Sequence, residues 1–308
     1  MTSPIKDYIA ILALDEGLNL MKSVRYFKYI RSMSQINMAL SRGAATRALR
    51  QTDPTNPNSW EFSGCSQNGE DGIIDFLTRR LLRPNRYFIE IGSGDGTENN
   101  TSWLALARRY SGLMIEGNRK SSEWCNYLLT PLSVGLETIC LFVNKDNIDA
   151  LSTRAVYSNP DVFSLDIDGT DYYVAEAILE SDLRPKICVV EYNSAFGPSK
   201  TVTIRYQEEF HRIQKHNRNL YYGWQLYYGC SVNGWKKLFA RFGYRFVSVE
   251  SNGVNALFID PSEFDNRFVD QLKGLEFQEN VSHVRAFKMN WEKLFELLKD
   301  TELFEINY

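Results

Sequence analysis

The chain has 308 residues, of which 44% are hydrophobic and 24% charged, with a formal net charge of −3. These values indicate a soluble globular protein and exclude a global positive field that would hold it on nucleic acid. No apolar run approaches the roughly 18 to 20 residues that a membrane helix needs. The short apolar run "YIAILAL" is closely followed by Asp15 and Glu16, which is unlike a secretory signal peptide, so we expect a cytoplasmic protein.

The cysteines and histidines argue against a zinc site or a disulfide framework. Five cysteines are scattered along the chain, and no two of them form a Cys-x-x-Cys pair. With only three histidines in the sequence, a metal site built from several histidines is nearly excluded.

The first fifty residues are predicted to form a helical segment. Leu20, Val24, Phe27 and Ile30 recur at helical spacing, and eight Lys or Arg against three acids give this segment a charge of +5. It can be a helical cap or lid on the main domain, or a helix pair that docks on a partner subunit or an acidic membrane surface. Residues 51–64 are rich in Pro, Asn, Thr and Ser and are predicted to be a linker.

From residue 65 to residue 308 we predict one domain in which strands and helices alternate. The predicted strands are 86–92, 112–118, 138–144, 162–168 and 186–193, with helical patterns between them, as in 101–110 and in "DYYVAEAILES". A later helix, 232–243, precedes two strands, 244–251 and 254–260, that are joined by a short turn typical of a hairpin. This order predicts a doubly wound, mostly parallel Rossmann-like sheet of seven strands that ends in an antiparallel pair.

The turn after the first strand has the most informative sequence. In "FIEIGSGDGTENNT", Glu90 lies in the strand, and Gly92, Ser93, Gly94 and Asp95 follow it. Ligands of open α/β sheets bind at the carboxyl ends of the strands, where glycine lets the backbone approach them closely. The spacing matches neither the dinucleotide fingerprint nor a Walker loop. It suits a ligand that has a cationic amino acid end and a ribose.

Two further strand ends fit the same ligand. The second strand ends in Glu116, roughly 20 residues beyond the glycine turn, where a carboxylate can accept both ribose hydroxyls. The third predicted strand ends in Asn144, which can meet the edge of an adenine ring.

Taken in order, Glu90-Ile-Gly92-Ser-Gly94-Asp95-Gly96, Glu116, Asn144 and Asp166 resemble the motifs of class I S-adenosylmethionine-dependent methyltransferases. The chain is most similar to the FkbM type, which has a Gln-x-Gly-Glu-Asp segment before the first strand, here Gln67 to Asp71. The resemblance covers about residues 65 to 260. It implies S-adenosylmethionine as cofactor, a contact of Gln67 with its methionine end, and transfer of a methyl group to an oxygen of a sugar or natural product.

The segment "SLDIDGT" by itself matches the opening motif of haloacid dehalogenase-type phosphatases, in which one aspartate is a nucleophile beside Mg²⁺. The motif follows three strand–helix units, Asp171 stands where an apolar residue is usual, and no later strand ends in paired acids. The phosphatase remains a minor alternative, and a non-catalytic protein that kept the methyltransferase fold is another.

In a methyltransferase, Asp166 is expected to face the methionine amine or the acceptor, and Asp168 to point into the acceptor pocket. Glu191 ends the next strand, so these three carboxylates can converge and bind Mg²⁺, which prefers oxygen ligands. The alternatives are a metal-free site with a general base and a plain hydrogen-bonded network. The candidate bases are Asp168, Glu191 and His211.

Residues 194–235 are predicted to be an insertion that forms the acceptor wall, because they are rich in Tyr and Trp, which stack on sugar rings. We therefore expect a saccharide or related small-molecule acceptor and no nucleic acid partner. Methylation of a nitrogen stays open, since an amine needs no strong base. The basic N-terminal helices can also support a homo-oligomer.

Overall fold

The computed structural model describes residues 4–210 and 225–307. Its main element is a sheet of seven strands in the order β3-β2-β1-β4-β5-β8-β7. The strands are β1 (Tyr87–Ile91), β2 (Ser111–Glu116), β3 (Leu136–Cys140), β4 (Val162–Leu165), β5 (Ile187–Glu191), β7 (Arg245–Val249) and β8 (Asn255–Ile259). The first five are parallel, and β8 is antiparallel to both β5 and β7. The predicted fold is confirmed.

Helices cover both faces of this sheet. They are α2 (Glu70–Thr78), α3 (Ser102–Arg108), α4 (Arg119–Leu129), α5 (Asp149–Ser152), α6 (Asp171–Glu180) and α7 (Val232–Arg241), with α8 (Asn266–Gln271) beyond β8. Strands β1, β4, β5 and β8 are buried along their whole length, which explains why they are continuous apolar runs rather than alternating patterns. Two apolar clusters, one on each face, form the core.

A smaller unit lies beside the sheet and combines the predicted insertion with the C-terminal segment. Strand β6 (Val202–Ile204) pairs with β9 (Leu303–Glu305) in an antiparallel ribbon. Helices α9 (Val281–Phe287) and α10 (Trp291–Glu296) precede β9. A third apolar cluster joins residues of the insertion, such as Phe196 and Leu226, to Leu294 and Leu298 of the C-terminal segment. The insertion is therefore supported from the far end of the chain.

The N-terminal segment is one helix, α1 (Pro4–Leu49), rather than a helix pair. Its C-terminal half packs on the domain through Ile36 and Ala39, and a Cβ added at Gly43 would lie 2.6 Å from the Trp103 ring. The apolar stripe that predicted this helix does not face the domain: Phe27 is 72% exposed, and Val24 and Ile30 are exposed too. No helix in the described ranges is long and apolar enough to span a membrane.

The segment between α1 and α2 packs against the domain. A 3₁₀ helix, Pro57–Trp60, places the Trp60 ring fully inside the core, stacked on Phe76 with the ring centroids 3.7 Å apart. Nearby, the buried carboxylate of Asp75 in α2 forms ion pairs with Arg47 of α1 and with Arg79, the residue that follows α2, both at 3.0 Å. These contacts attach the C-terminal end of α1 to α2.

Candidate active site

Two adjoining cavities lie at the carboxyl ends of the parallel strands. The first, of about 610 Å³, lies over the ends of β2, β1 and β4, and the second, of about 200 Å³, extends over β1, β4 and β5 to the start of β8. Both are lined by Gly92, Asp166 and Asp168, so the ends of β1 and β4 are their common wall. This is the edge at which open α/β sheets bind their ligands.

The glycine turn after β1 is built to bring backbone close to the first cavity. Gly92 has φ +88°, and a Cβ added there would lie 1.6 Å from the Asp166 carbonyl oxygen. Gly94 has φ +57° and would direct a Cβ into open space. Positive φ is readily adopted only by glycine, and at Gly92 the neighbouring strand end also leaves no room for a side chain.

Glu116 lies at the end of β2, where its carboxylate joins two loops. One oxygen accepts the backbone N–H of Gly94 at 2.9 Å, and the other accepts that of Asn118 at 2.6 Å. The carboxylate is only partly buried and lines the first cavity. Each oxygen has a second lone pair, so a ligand with two adjacent hydroxyls can still bind to it.

The predicted third strand, 138–144, extends four residues beyond the observed end of β3. Strand β3 ends at Cys140, and the apolar residues Leu141, Phe142 and Val143 instead line the first cavity. The side chain of Asn144 accepts the backbone N–H of Asp146 in a turn, and Asn144 is absent from the cavity lining. The structure thus places apolar surface, suited to a flat aromatic base, where the sequence suggested an amide.

Two other predicted cofactor residues, Glu90 and Gln67, line the second cavity. Glu90 is buried and lines the second cavity, where its carboxylate accepts the Asn100 backbone N–H and the Thr101 hydroxyl. Burial raises the pKa of Glu90 from 4.5 to about 7. Gln67 also lines this cavity and donates to Glu98 at 2.8 Å.

Ser93 and Asp95 do not line either cavity. Ser93 is buried, and its carbonyl oxygen accepts the backbone N–H of Gly96. The Asp95 carboxylate accepts both the backbone N–H and the hydroxyl of Thr97, which closes a local turn. Both residues therefore contribute to the shape of the glycine turn.

The loop after β4 is held by a carboxylate that the sequence analysis did not place in the site. Asp171, at the start of α6, accepts the backbone N–H of Ile167 at 2.9 Å and that of Gly169 at 2.8 Å. Burial raises the pKa of Asp171 from 3.8 to about 6. Between these two anchors Asp168 adopts φ +54°, an uncommon conformation for a residue with a side chain.

The three carboxylates proposed to converge lie close together. Asp166, Asp168 and Glu191 each offer an oxygen within 4.8 Å of the others. Asp168 is exposed, Asp166 is partly buried and Glu191 is buried, so the cluster lies at the boundary between the cavity floor and solvent. Of the three candidate bases, the structure brings Asp168 and Glu191 to the same cavity, while His211 lies outside the described residues.

The described part of the insertion borders the site through a few contacts. Phe210 lines the first cavity and touches Gly169, at which an added Cβ would lie 2.8 Å from the Phe210 ring. Asn193, just after β5, is buried and donates to the carbonyl oxygens of Leu226 and Tyr228. Tyr227 and Tyr228 are buried, so these two aromatic rings pack the insertion.

Several residues that line the second cavity were not singled out from the sequence. Glu98, Asn99 and Asn100 form part of its wall, as do Asn68 and Glu70. The polar run "TENNT", which lies between a glycine turn and a helix, is the sequence pattern from which Glu98, Asn99 and Asn100 could have been predicted. Asn255, at the start of β8, lines the same cavity.

Comparisons with known proteins identify no family. No family model matches the chain, and no curated protein is similar to it. The solved structures that it resembles include an O-methyltransferase from Streptomyces achromogenes involved in tomaymycin synthesis, in complex with S-adenosylmethionine (18% identity, 72% of this chain and 88% of that chain, TM-score 0.43). Another is an O-methyltransferase from Bacillus cereus with S-adenosylhomocysteine (14% identity, 73% and 89%, TM-score 0.40). These similarities are too distant to indicate the reaction, which we infer from the residues of this chain.

Proposed function

We propose that the protein is an S-adenosylmethionine-dependent methyltransferase of the FkbM type that methylates a hydroxyl group. The observation that supports this most directly is the pair of adjoining cavities over the strand ends. One contains a glycine turn and an acidic strand end, and the other contains clustered carboxylates. A cofactor in the first cavity and an acceptor in the second would meet at the shared wall formed by Gly92, Asp166 and Asp168.

The residues of the first cavity fit the proposed cofactor. Its volume of about 610 Å³ lies within the usual range for small-molecule sites. Glu116 would hold the ribose hydroxyls, Leu141 to Val143 would contact the adenine, and the backbone at Gly92 and Gly94 would approach the amino acid end. When bound, S-adenosylmethionine supplies an activated methyl group on a positively charged sulfur.

The carboxylates of the second cavity would orient the acceptor and accept its proton. A hydroxyl must lose its proton as its oxygen gains the methyl group, and S-adenosylhomocysteine is the other product. Asp168 and Glu191 are the described candidates for this base, and His211 is a third. Because methyl transfer mainly needs aligned reactants, the rigid loop held by Asp171 would serve as a positioning element.

A divalent cation fits the carboxylate cluster. Asp166, Asp168 and Glu191 present oxygen ligands of the kind that Mg²⁺ prefers, within 4.8 Å of one another. Such an ion would bind adjacent acceptor oxygens and lower the pKa of the reacting hydroxyl. The same Asp-x-Asp-Gly-Thr segment and acid cluster also favour a second candidate, an Mg²⁺-dependent phosphatase in which Asp166 is the nucleophile.

For the acceptor we propose a saccharide, a nucleotide-sugar or a related natural product. The small, polar second cavity, of about 200 Å³, suits a hydroxylated small molecule better than a polymer. The exposed stripe of α1, which includes Val24 and Phe27, further leads us to propose that two copies of the chain associate through this helix.

Calorimetric titration of the full chain with S-adenosylhomocysteine tests the proposed function. We expect micromolar binding, and we expect radiolabelled methyl groups from S-adenosylmethionine to appear in a sugar from an acceptor panel. A folded protein that binds no S-adenosylhomocysteine but releases phosphate from a generic ester would favour the phosphatase. A folded protein with neither property would favour a non-catalytic role.

A further inference from the structure

Acidic side chains dominate the lining of the second cavity. Six carboxylates line it, and its lining within the described residues contains no Lys, Arg, His or aromatic side chain. The carboxylates are those of Glu70, Glu90, Glu98, Asp166, Asp168 and Glu191. A cation bound by Asp166, Asp168 and Glu191 would not coordinate the other three acidic side chains, which belong to Glu70, Glu90 and Glu98.

The lining of the second cavity also contains five amide side chains, and their hydrogen bonds are made within the protein. Each of the five donates through its nitrogen to an acceptor within the protein. The pairs are Gln67 with Glu98, Asn68 with Glu70, Asn99 with the Ser93 carbonyl, Asn100 with the Ser164 hydroxyl, and Asn255 with Glu70. One N–H of each amide is thus used within the protein, and the six carboxylates leave the lining rich in acceptor oxygens.

Asn255 provides a second, independent sign of a missing donor. Asn255 is only 3% exposed and lines the cavity. Its side-chain oxygen, Oδ1, has no hydrogen-bond partner among the described residues. The amide cannot be reversed at no cost, because its nitrogen donates to the Glu70 carboxylate at 2.6 Å. An unsatisfied buried acceptor costs roughly 1–3 kcal/mol, which a ligand donor would recover.

The position of Asn255 separates this end of the cavity from the cofactor side. Asn255 begins β8 and is the direct cross-strand neighbour of Glu191 at the end of β5. In the sheet order, β5 and β8 lie beyond β4, on the side away from β2 and its Glu116. Glu70, Glu191 and Asn255 therefore form a wall at the end of the cavity remote from the glycine turn.

We infer that Glu70 and Asn255, on this wall, bind a positively charged amino group of the acceptor. The inference rests on the proposed function and narrows its substrate class to amino-substituted sugars or similar amines. An ammonium group offers three donors and one positive charge, which match the acceptor atoms and the carboxylates here. The amino group is a recognition element, and the methylated atom lies nearer to Asp166 and Asp168.

The inference is tested by ligand discrimination in the protein saturated with S-adenosylhomocysteine. The probes are glucosamine, N-acetylglucosamine and glucose, which share a ring but differ in the amine, and saturation-transfer NMR measures their dissociation constants. We expect glucosamine to bind at least tenfold more tightly than the other two. Equal binding of all three sugars, or no binding of glucosamine, would overturn the inference.

A substitution at Glu70 tests whether this carboxylate binds the amino group. Glu70→Gln keeps the size of the side chain and removes one charge, so glucosamine should bind at least fivefold more weakly while S-adenosylhomocysteine binds as before. The control is Asp182→Asn, which removes a charge from the exposed turn before β5, at the opposite edge of the sheet. Unchanged glucosamine binding in a folded Glu70→Gln variant would contradict the inference.

A second variant and a separate measurement of cofactor binding complete the test. If Glu70→Gln does not fold, Asn255→Ser provides the same comparison, and the three-sugar result on the wild-type protein decides independently of any variant. S-adenosylhomocysteine binding is measured separately in each case. If the wild-type protein does not bind S-adenosylhomocysteine, the proposed function is refuted. If it binds S-adenosylhomocysteine but does not discriminate among the sugars, only the amino-group inference is refuted.

Discussion

The backbone N–H of Gly94 donates to the carboxylate of Glu116 at 2.9 Å, which links the turn after β1 to the end of β2. The second oxygen of the same carboxylate is held by Asn118 at 2.6 Å. A single side chain therefore fixes the shape of the glycine turn and presents its remaining lone pairs to the cavity. A change at Glu116 would therefore alter both the proposed ligand contact and the backbone that borders the cavity.

We predict that Glu116→Ala weakens S-adenosylhomocysteine binding at least tenfold, or by about 1.4 kcal/mol. The variant loses the acceptor for the ribose hydroxyls and releases the Gly94 N–H, and calorimetry measures the effect. Glu123→Ala, an exposed glutamate on α4, is the matched control and should bind normally. Wild-type affinity in Glu116→Ala would mean that the first cavity does not bind the nucleoside through this residue.

Alanine substitutions should distinguish the two glycines of the turn. Both have positive φ, so each variant should lose about 1–2 kcal/mol of unfolding free energy from backbone strain. Gly92→Ala should lose clearly more, because its Cβ would lie 1.6 Å from the Asp166 carbonyl oxygen, whereas Gly94→Ala meets nothing within 4 Å. Urea unfolding measures both. Equal losses would show that the strand ends can separate to admit the methyl group.

The buried Asp71 should make the protein less stable as the pH rises. Its carboxylate accepts the backbone N–H groups of Gly64 and Ser66, yet burial raises the pKa of Asp71 from 3.8 to about 8. Between these two values the folded protein binds more protons than the unfolded chain, so the free energy of unfolding falls with increasing pH.

Asp71→Asn removes this titration and keeps an oxygen that can accept both N–H groups. We expect the free energy of unfolding of the variant to decrease less between pH 5 and pH 8 than that of the wild-type protein, as measured by urea unfolding at both pH values. Asp182→Asn, on the surface, should leave the pH dependence as it is. An unchanged slope in Asp71→Asn would indicate that other buried acids, such as Glu250, dominate this range; burial raises the pKa of Glu250 to about 8.

Binding of Mn²⁺, a spectroscopic substitute for Mg²⁺, should depend on the carboxylate cluster. Asp168→Asn or Glu191→Gln removes one charged ligand and should weaken Mn²⁺ binding about tenfold, as measured by electron paramagnetic resonance. Asp270→Asn, a surface change on α8, is the control. If EDTA changes neither S-adenosylhomocysteine affinity nor methyl transfer, the cluster acts as a metal-free base and orienting network.

The exposed stripe on α1 predicts self-association of the full chain. Phe27→Glu places a charge in this apolar stripe and should shift the molar mass measured by light scattering from dimer toward monomer. Ala44→Glu, at an exposed position further along the same helix, should leave the mass unchanged. A wild-type protein that is monomeric at high micromolar concentration would refute the proposed association.

The fold class and the succession of strands and helices along the chain followed from the sequence alone, whereas the order of the strands within the sheet did not. Apolar runs such as 86–92 and 186–193 alternate with helical patterns, and a mostly parallel sheet covered by helices buries such runs on both faces. The glycine turn and Glu116 were also identifiable, because a bend of positive φ and an acid at a strand end have a local sequence pattern. The hydrogen bond between Gly94 and Glu116 has no such local pattern and could not be predicted from the sequence.

The tertiary structure decided which side chains meet. Asn255 donates to the Glu70 carboxylate, a contact between residues that lie 185 positions apart in the sequence. The structure also ended β3 at Cys140 and turned the stripe of α1 away from the domain. Sequence periodicity specifies a face of an element, but what that face packs against depends on non-local burial and hydrogen bonding, which form only when the whole sheet is assembled.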